Sequence, residues 1–123
     1  MASAVPLLVA LGGATGALAR YGTTRAISAG AGWDPAWSTA VVNVLGALAL
    51  GAAAQRLADR PGAALLLMTG FLGAFTTFST FAMDAVQLLR GQGVLAASAY
   101  VGGSVTLAIG AFALGAVLAG GRP

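Results

Sequence analysis

Gly70-Phe71-Leu72-Gly73-Ala74-Phe75-Thr76-Thr77-Phe78-Ser79-Thr80-Phe81 lies within the third of four apolar runs, and its composition argues against a continuous helix. Two Gly, three Thr and one Ser fall among these residues, and both Gly and β-branched Thr lower helical propensity. An interrupted helix leaves carbonyls and amides without their usual partners. Inside a bilayer that is tolerated only where protein, an ion or water satisfies them, and such interruptions commonly build ion and substrate sites. The plainer alternative is a kink whose hydroxyls bond back to the preceding turn. The expectation taken forward is a broken third span.

The flanking sequence places that stretch in a membrane. Charged residues make up 7% of the 123 residues and hydrophobic residues 59%, with a mean hydropathy of +0.91. An average soluble domain is roughly 25% charged, so a globule of this composition would not stay dispersed in water. A spanning helix needs about 20 apolar residues, and the runs predict four, at about 4–29, 36–55, 62–89 and 94–119. Pro and Gly in the connectors 30–35, 56–62 and 91–93 stop one helix and start the next. The fold class expected is all-α, a single four-helix transmembrane domain over 1–123, its outer faces against membrane lipid. The opening run has no basic leading segment and is long for a signal core, so it is expected to remain as the first helix.

The side-chain inventory excludes most chemistry. The chain has no His, Cys, Lys or Glu, only six Arg and three Asp. Ser–His and Cys–His nucleophiles cannot be assembled, His/Cys metal sites are absent, and no nearby pair of acids offers proton transfer. An enzyme is not expected. The Arg residues are scattered singly, which argues against nucleic acid as a partner despite the basic balance. What remains is a protein that moves something, binds something within the bilayer, or supports another membrane protein.

Charge around the spans is nearly balanced. Arg56, Arg60 and Arg122 fall on one side, and Arg25 and Arg90 on the other, joined by Arg20 if it counts as flanking. The positive-inside signal then barely selects an orientation, and insertion in both orientations with antiparallel pairing is expected, unless one Arg decides or an Asp offsets it. Helices in lipid associate through close backbone approach. Gly12 and Gly16 supply it on the first helix, with Arg20 on the same face aimed at protein or at water held by protein. Gly46, Ala47 and Gly51 do so on the second, and Gly102, Gly103, Gly110, Ala111 and Gly115 on the fourth.

Polar side chains at membrane depth are costly and call for a reason. Asn43, with Thr39 one turn earlier, is either an interhelical clasp or an amide donor to an anion. Phe78 and Phe81 stack along one helix face, as simple packing or with their positive ring edges turned toward an anion. Tyr100 and Ser104 share a face of the fourth helix, where the next position, Ala108, is apolar. Asp84 is expected to pair with an Arg or to lie in the interface.

Three segments together resemble the Fluc (CrcB) family of bacterial fluoride channels: residues 12–21, the Thr39-to-Gly46 stretch around Asn43, and residues 70–81. The resemblance covers essentially the whole chain. It implies an antiparallel dual-topology homodimer in the bacterial inner membrane, with two fluoride pathways and a central structural sodium. On the matching positions, Phe78 and Phe81 would line the pathways, Asn43 would donate to fluoride, and Ser79 and Thr80 would add hydroxyls. Thr39, Tyr100 and Ser104 would extend the polar lining. Backbone carbonyls of Gly73 and Thr76 would hold sodium, and Arg20 would draw anions into a vestibule. Two positions depart from the family pattern: Ala108 interrupts the polar track, and Asp84 stands where the family usually has Glu. The implied role is passive export of fluoride, conferring fluoride resistance. A small dual-topology multidrug exporter and a non-transporting assembly subunit are the alternatives. The exporter would need an embedded carboxylate, and the chain has no Glu.

Overall fold

A computed structural model describes residues 4–121, and the described chain is all-helical. Helix α1 spans Val5–Ala31 and α2 spans Pro35–Arg56. The third unit begins with Pro61–Ala64, continues as a π-helix over Leu65–Leu72 and returns to α geometry over Gly73–Phe75; these contiguous pieces are α3, residues 61–75. After the two extended residues Thr76 and Thr77, α4 spans Phe78–Gln92, and α5 spans Val94–Leu118. Four helical units thus cross the fold, the third made of α3 and α4.

The ends follow local chemistry. The carboxylate of Asp34 accepts from Ala36 N–H at 3.0 Å as the N-cap of α2, with Pro35 in the first turn. Pro61 opens α3 in the same way, where its missing N–H costs nothing. Gly93, at φ 90°, turns the chain between α4 and α5 in a conformation that side chains disfavour.

Units alternate in direction, so the first and third run parallel, as do the second and fourth, and these are the two most extensive packings. Gly12, Gly16 and Gly70 set the first. A Cβ on Gly12 would strike the Leu66 carbonyl, and one on Gly16 the Phe71 carbonyl. Gly51 and Gly115 set the second: a Cβ on either would strike a carbonyl of the facing helix, Phe112 or Leu48. In each case the small residue lets a Cα–H lie against a carbonyl oxygen, a weak but recurrent helix–helix contact. Gly102, Gly103 and Gly110, expected in the same role, have no heavy atom within 4 Å of a Cβ built on them. They make no close backbone approach to another helix; Gly102 and Gly110 are exposed, and Gly103 is half-buried beside Trp37 and Val44 of α2.

Among the described residues three helical units, Pro35–Arg56, residues 61–92 and Val94–Leu118, are both long and apolar enough to cross a membrane; α1 is long enough, at 27 residues, but less apolar. Part of its polarity is turned inward, where Arg20 donates to a carbonyl of α3 and Ser28 pairs with the buried Ser38 of α2 at 2.9 Å; the exposed Thr15 instead bonds back to Leu11 O of its own helix.

Candidate functional site

The site is built around the two residues between α3 and α4. Thr76 (φ −81°, ψ 156°) and Thr77 (φ −149°, ψ 121°) are extended. The interruption is therefore shorter than the twelve-residue stretch that announces it, and it coexists with the back-bonded alternative, because Thr76 Oγ1 donates to Leu72 O at 2.9 Å. Thr77 starts the new helix as its N-cap: its Oγ1 accepts from Thr80 N–H at 3.3 Å and donates to Thr80 Oγ1 at 3.1 Å. Ser79, exposed, places its hydroxyl 3.4 Å from the same oxygen.

Asn43 of α2 closes over the break. Its Nδ2 donates to Thr77 O at 3.0 Å, and its Oδ1 accepts from Thr77 N–H at 2.7 Å. The clasp reading of Asn43 is thereby realised, and an amide has two N–H groups, so one donor is left over. Arg20 reaches the other side of the break, its Nε donating to Ala74 O at 3.1 Å. A cation there also sits at the carbonyl end of α3, the negative end of its dipole.

These substitutions release other groups. In an unbroken helix Thr77 N–H would bond the Gly73 carbonyl and Thr80 N–H the Thr76 carbonyl; here they go to Asn43 and to Thr77 Oγ1. The carbonyls of Gly73 and Thr76 lose those donors. Among the described residues no cluster of three or more acidic, His or Cys side chains could hold a metal; carbonyl oxygens are ligands of the kind that hard cations take.

Two recesses flank Thr77. One, of about 310 Å³, is lined by Asn43, Thr77, Phe78, Phe81, Ser104 and Ala108 among others, with no charged side chain. The other, of about 210 Å³, is lined by Arg20, Thr24, Thr39, Thr77 and Thr80 among others. The expected site residues thus divide: Asn43, Phe78, Phe81 and Ser104 share the first, Arg20, Thr39 and Thr80 the second. Thr39, buried, spends its hydroxyl weakly on Pro35 O at 3.4 Å.

Aromatic rings form a continuous file. Phe78 and Phe81 have centroids 5.5 Å apart, Phe81 stacks on Tyr100 at 5.3 Å, and Trp37 meets Tyr100 edge-on at 5.7 Å. Phe78 is 81% exposed and so projects beyond the chain, while Tyr100 is fully buried. Tyr100 lines neither recess; its hydroxyl donates to Asp84 Oδ2 at 3.3 Å. Asp84, buried at 5% exposure, has a tyrosine rather than an Arg as its partner. Ser104 is buried and its Oγ has no hydrogen-bond partner within the described chain, an acceptor and donor held ready beside Phe81's recess.

The sequence reading missed Thr77 and the Ala74 carbonyl. For Thr77 a signal existed, a hydroxyl residue immediately before a new helical run. The Ala74 carbonyl has none, because a backbone acceptor carries no side-chain signature.

Comparison with known proteins bears on what this arrangement is for. The model of a family described as CrcB-like protein, Camphor Resistance (CrcB), matches residues 7–116. A protein of Hahella chejuensis named fluoride-specific ion channel FluC is 42% identical over 114 residues, 89% of this chain and 90% of that one. Proteins of the same name from Solibacter usitatus and Rhizobium leguminosarum bv. trifolii are 44% and 43% identical, over 92% and 93% of this chain and 96% and 90% of theirs.

Proposed function

The chain belongs to the CrcB family, and from that membership we propose that it is a fluoride-specific ion channel, a multi-pass protein of the bacterial inner membrane through which cytoplasmic fluoride leaves passively. The observation that carries the reading is the uncharged recess lined by Asn43, Thr77, Phe78, Phe81 and Ser104. Fluoride is small and strongly hydrated, so passage needs donors that replace its water without holding it. The free N–H of Asn43, the unpartnered Ser104 hydroxyl and the ring edges of Phe78 and Phe81 are such donors. A fixed positive charge at that depth would bind the ion and stall its release. Arg20 instead lies in the neighbouring recess with Thr39 and Thr80, where it raises the local anion concentration. Ser79 is the exposed hydroxyl at the break, and Tyr100 supports Phe81 from behind.

The functional unit in this proposal is an antiparallel homodimer with two pathways. Support comes from Phe78, whose ring finds little cover in its own chain, and from the exposed Gly102 and Gly110 of α5. The donor set also fits a structural sodium. Carbonyls of Gly73 and Thr76, relieved of their helical donors and doubled by the second copy, would hold it, and its charge would neutralise their converging dipoles.

The test is purified protein in fluoride-loaded liposomes, read with an ion-selective electrode after a potassium ionophore relieves the voltage. Rapid fluoride efflux with little chloride passing is expected. Absence of efflux would return the chain to the status of an assembly subunit.

A further inference from the structure

Asn43 is not alone in meeting the break. Gly46 lies one turn later on α2, and its bare face receives the Thr76 γ-methyl and the edge of the Phe75 ring: a Cβ at position 46 would fall on Thr76 Cγ2 and come within 3.2 Å of Phe75 Cδ1. Thr76 has little freedom to move away. Its N–H and its Oγ1 both donate to Leu72 O, at 3.0 and 2.9 Å. Because two heavy atoms share the threonine Cβ, fixing Oγ1 also fixes the direction of the methyl. An added methyl group at 46 would therefore have to be accommodated by the backbone of Thr76. The next residue is Thr77, whose N–H sits 2.7 Å from Asn43 Oδ1, at the short end of the hydrogen-bond range, where small displacements matter.

We propose that Gly46 is a positioning residue for fluoride passage: it provides the socket that seats Thr76 and so fixes how the Thr77 backbone meets Asn43. Asn43 and Gly46 form a two-point dock on α2, one polar and one steric, for the two extended residues at which the helical ladder stops, Thr77 N–H going to Asn43 rather than to a helical carbonyl. The orientation of the remaining Asn43 N–H and the start of α4, and with it Phe78 and Phe81, follow from that seating. The inference rests on the channel reading above, since it concerns how the pathway is held in shape.

The test compares wild type, Gly46→Ala, Thr76→Ser and the double variant by liposome fluoride flux and by melting temperature in detergent. Serine keeps an Oγ that can bond Leu72 O and lacks the γ-methyl. Gly46→Ala is expected to lower both flux, by ten-fold or more, and melting temperature. The double variant is expected to return both toward the values of Thr76→Ser alone. Unchanged flux in Gly46→Ala overturns the proposal, and so does a double variant that recovers its melting temperature but not its flux, which would make position 46 packing only. If Gly46→Ala does not fold, the double variant decides: folded and conducting supports the socket, unfolded overturns it. Failure of the channel reading is seen separately, as a wild type that passes no fluoride.

Discussion

Asn43 spends one side chain on both backbone groups of Thr77, an economical way to satisfy an extended residue at membrane depth. Asn43→Ala would strand a donor and an acceptor at once, each worth about 1–3 kcal/mol when buried without a partner. A clear fall in melting temperature is expected, together with loss of fluoride flux; a variant with wild-type melting would contradict the clasp. Phe81 sits differently, half-buried against Tyr100 and Phe78. Phe81→Ile gives up ring pairs worth about 1 kcal/mol each, so the protein should remain folded while flux drops by an order of magnitude or more. Flux at the wild-type level in that variant would remove the ring-edge argument. The prominence of Asn43 was legible because an amide in the middle of an apolar run demands a partner. Which partner was not, since Thr77 is 34 residues away and the contact exists only once α2 packs on the break.

The Gly and Thr residues that make 70–81 a poor helix marked where the third unit fails, but not how. The disruption is confined to Thr76 and Thr77, and the preceding Leu65–Leu72 is a π-helix whose sequence, LLLMTGFL, reads as an ordinary apolar segment. Widened turns there rotate everything that follows relative to a 3.6-residue count, so the faces of Phe71 and Phe75 could not be phased from the sequence. Glycine spacing was equally ambiguous. Gly12 and Gly16 pack against α3, while Gly13 beside them meets nothing within 4 Å. Gly16→Ala should then cost about 1–3 kcal/mol through overpacking on the Phe71 carbonyl, and Gly13→Ala should leave the melting temperature nearly unchanged. Equal effects in the two variants would contradict the α1–α3 interface described above.

Seen as a whole, the chain carries a long apolar exterior, from Leu11 and Leu18 on α1 to Leu107, Ile109 and Leu118 on α5, the expected face of a protein solvated by lipid. The all-helical class and the connectors were readable from hydropathy and from Pro and Gly, because those signals are local. Orientation was left open by the charges, since the Arg residues flanking the helices are nearly evenly shared; Arg122, one of those counted, lies outside the described residues. Reporter fusions at the carboxyl terminus are expected to give signal from both sides of the membrane, and signal from one side only would defeat dual insertion. The pairing of units sets a final consequence. Because the first unit packs chiefly on the third and the second on the fourth, neither of the first two finds its main companion in the helix made directly after or before it. The first principal interface can close only once residues 61–75 have been made, and the second only once α5 has followed, so α2 waits longest for its companion.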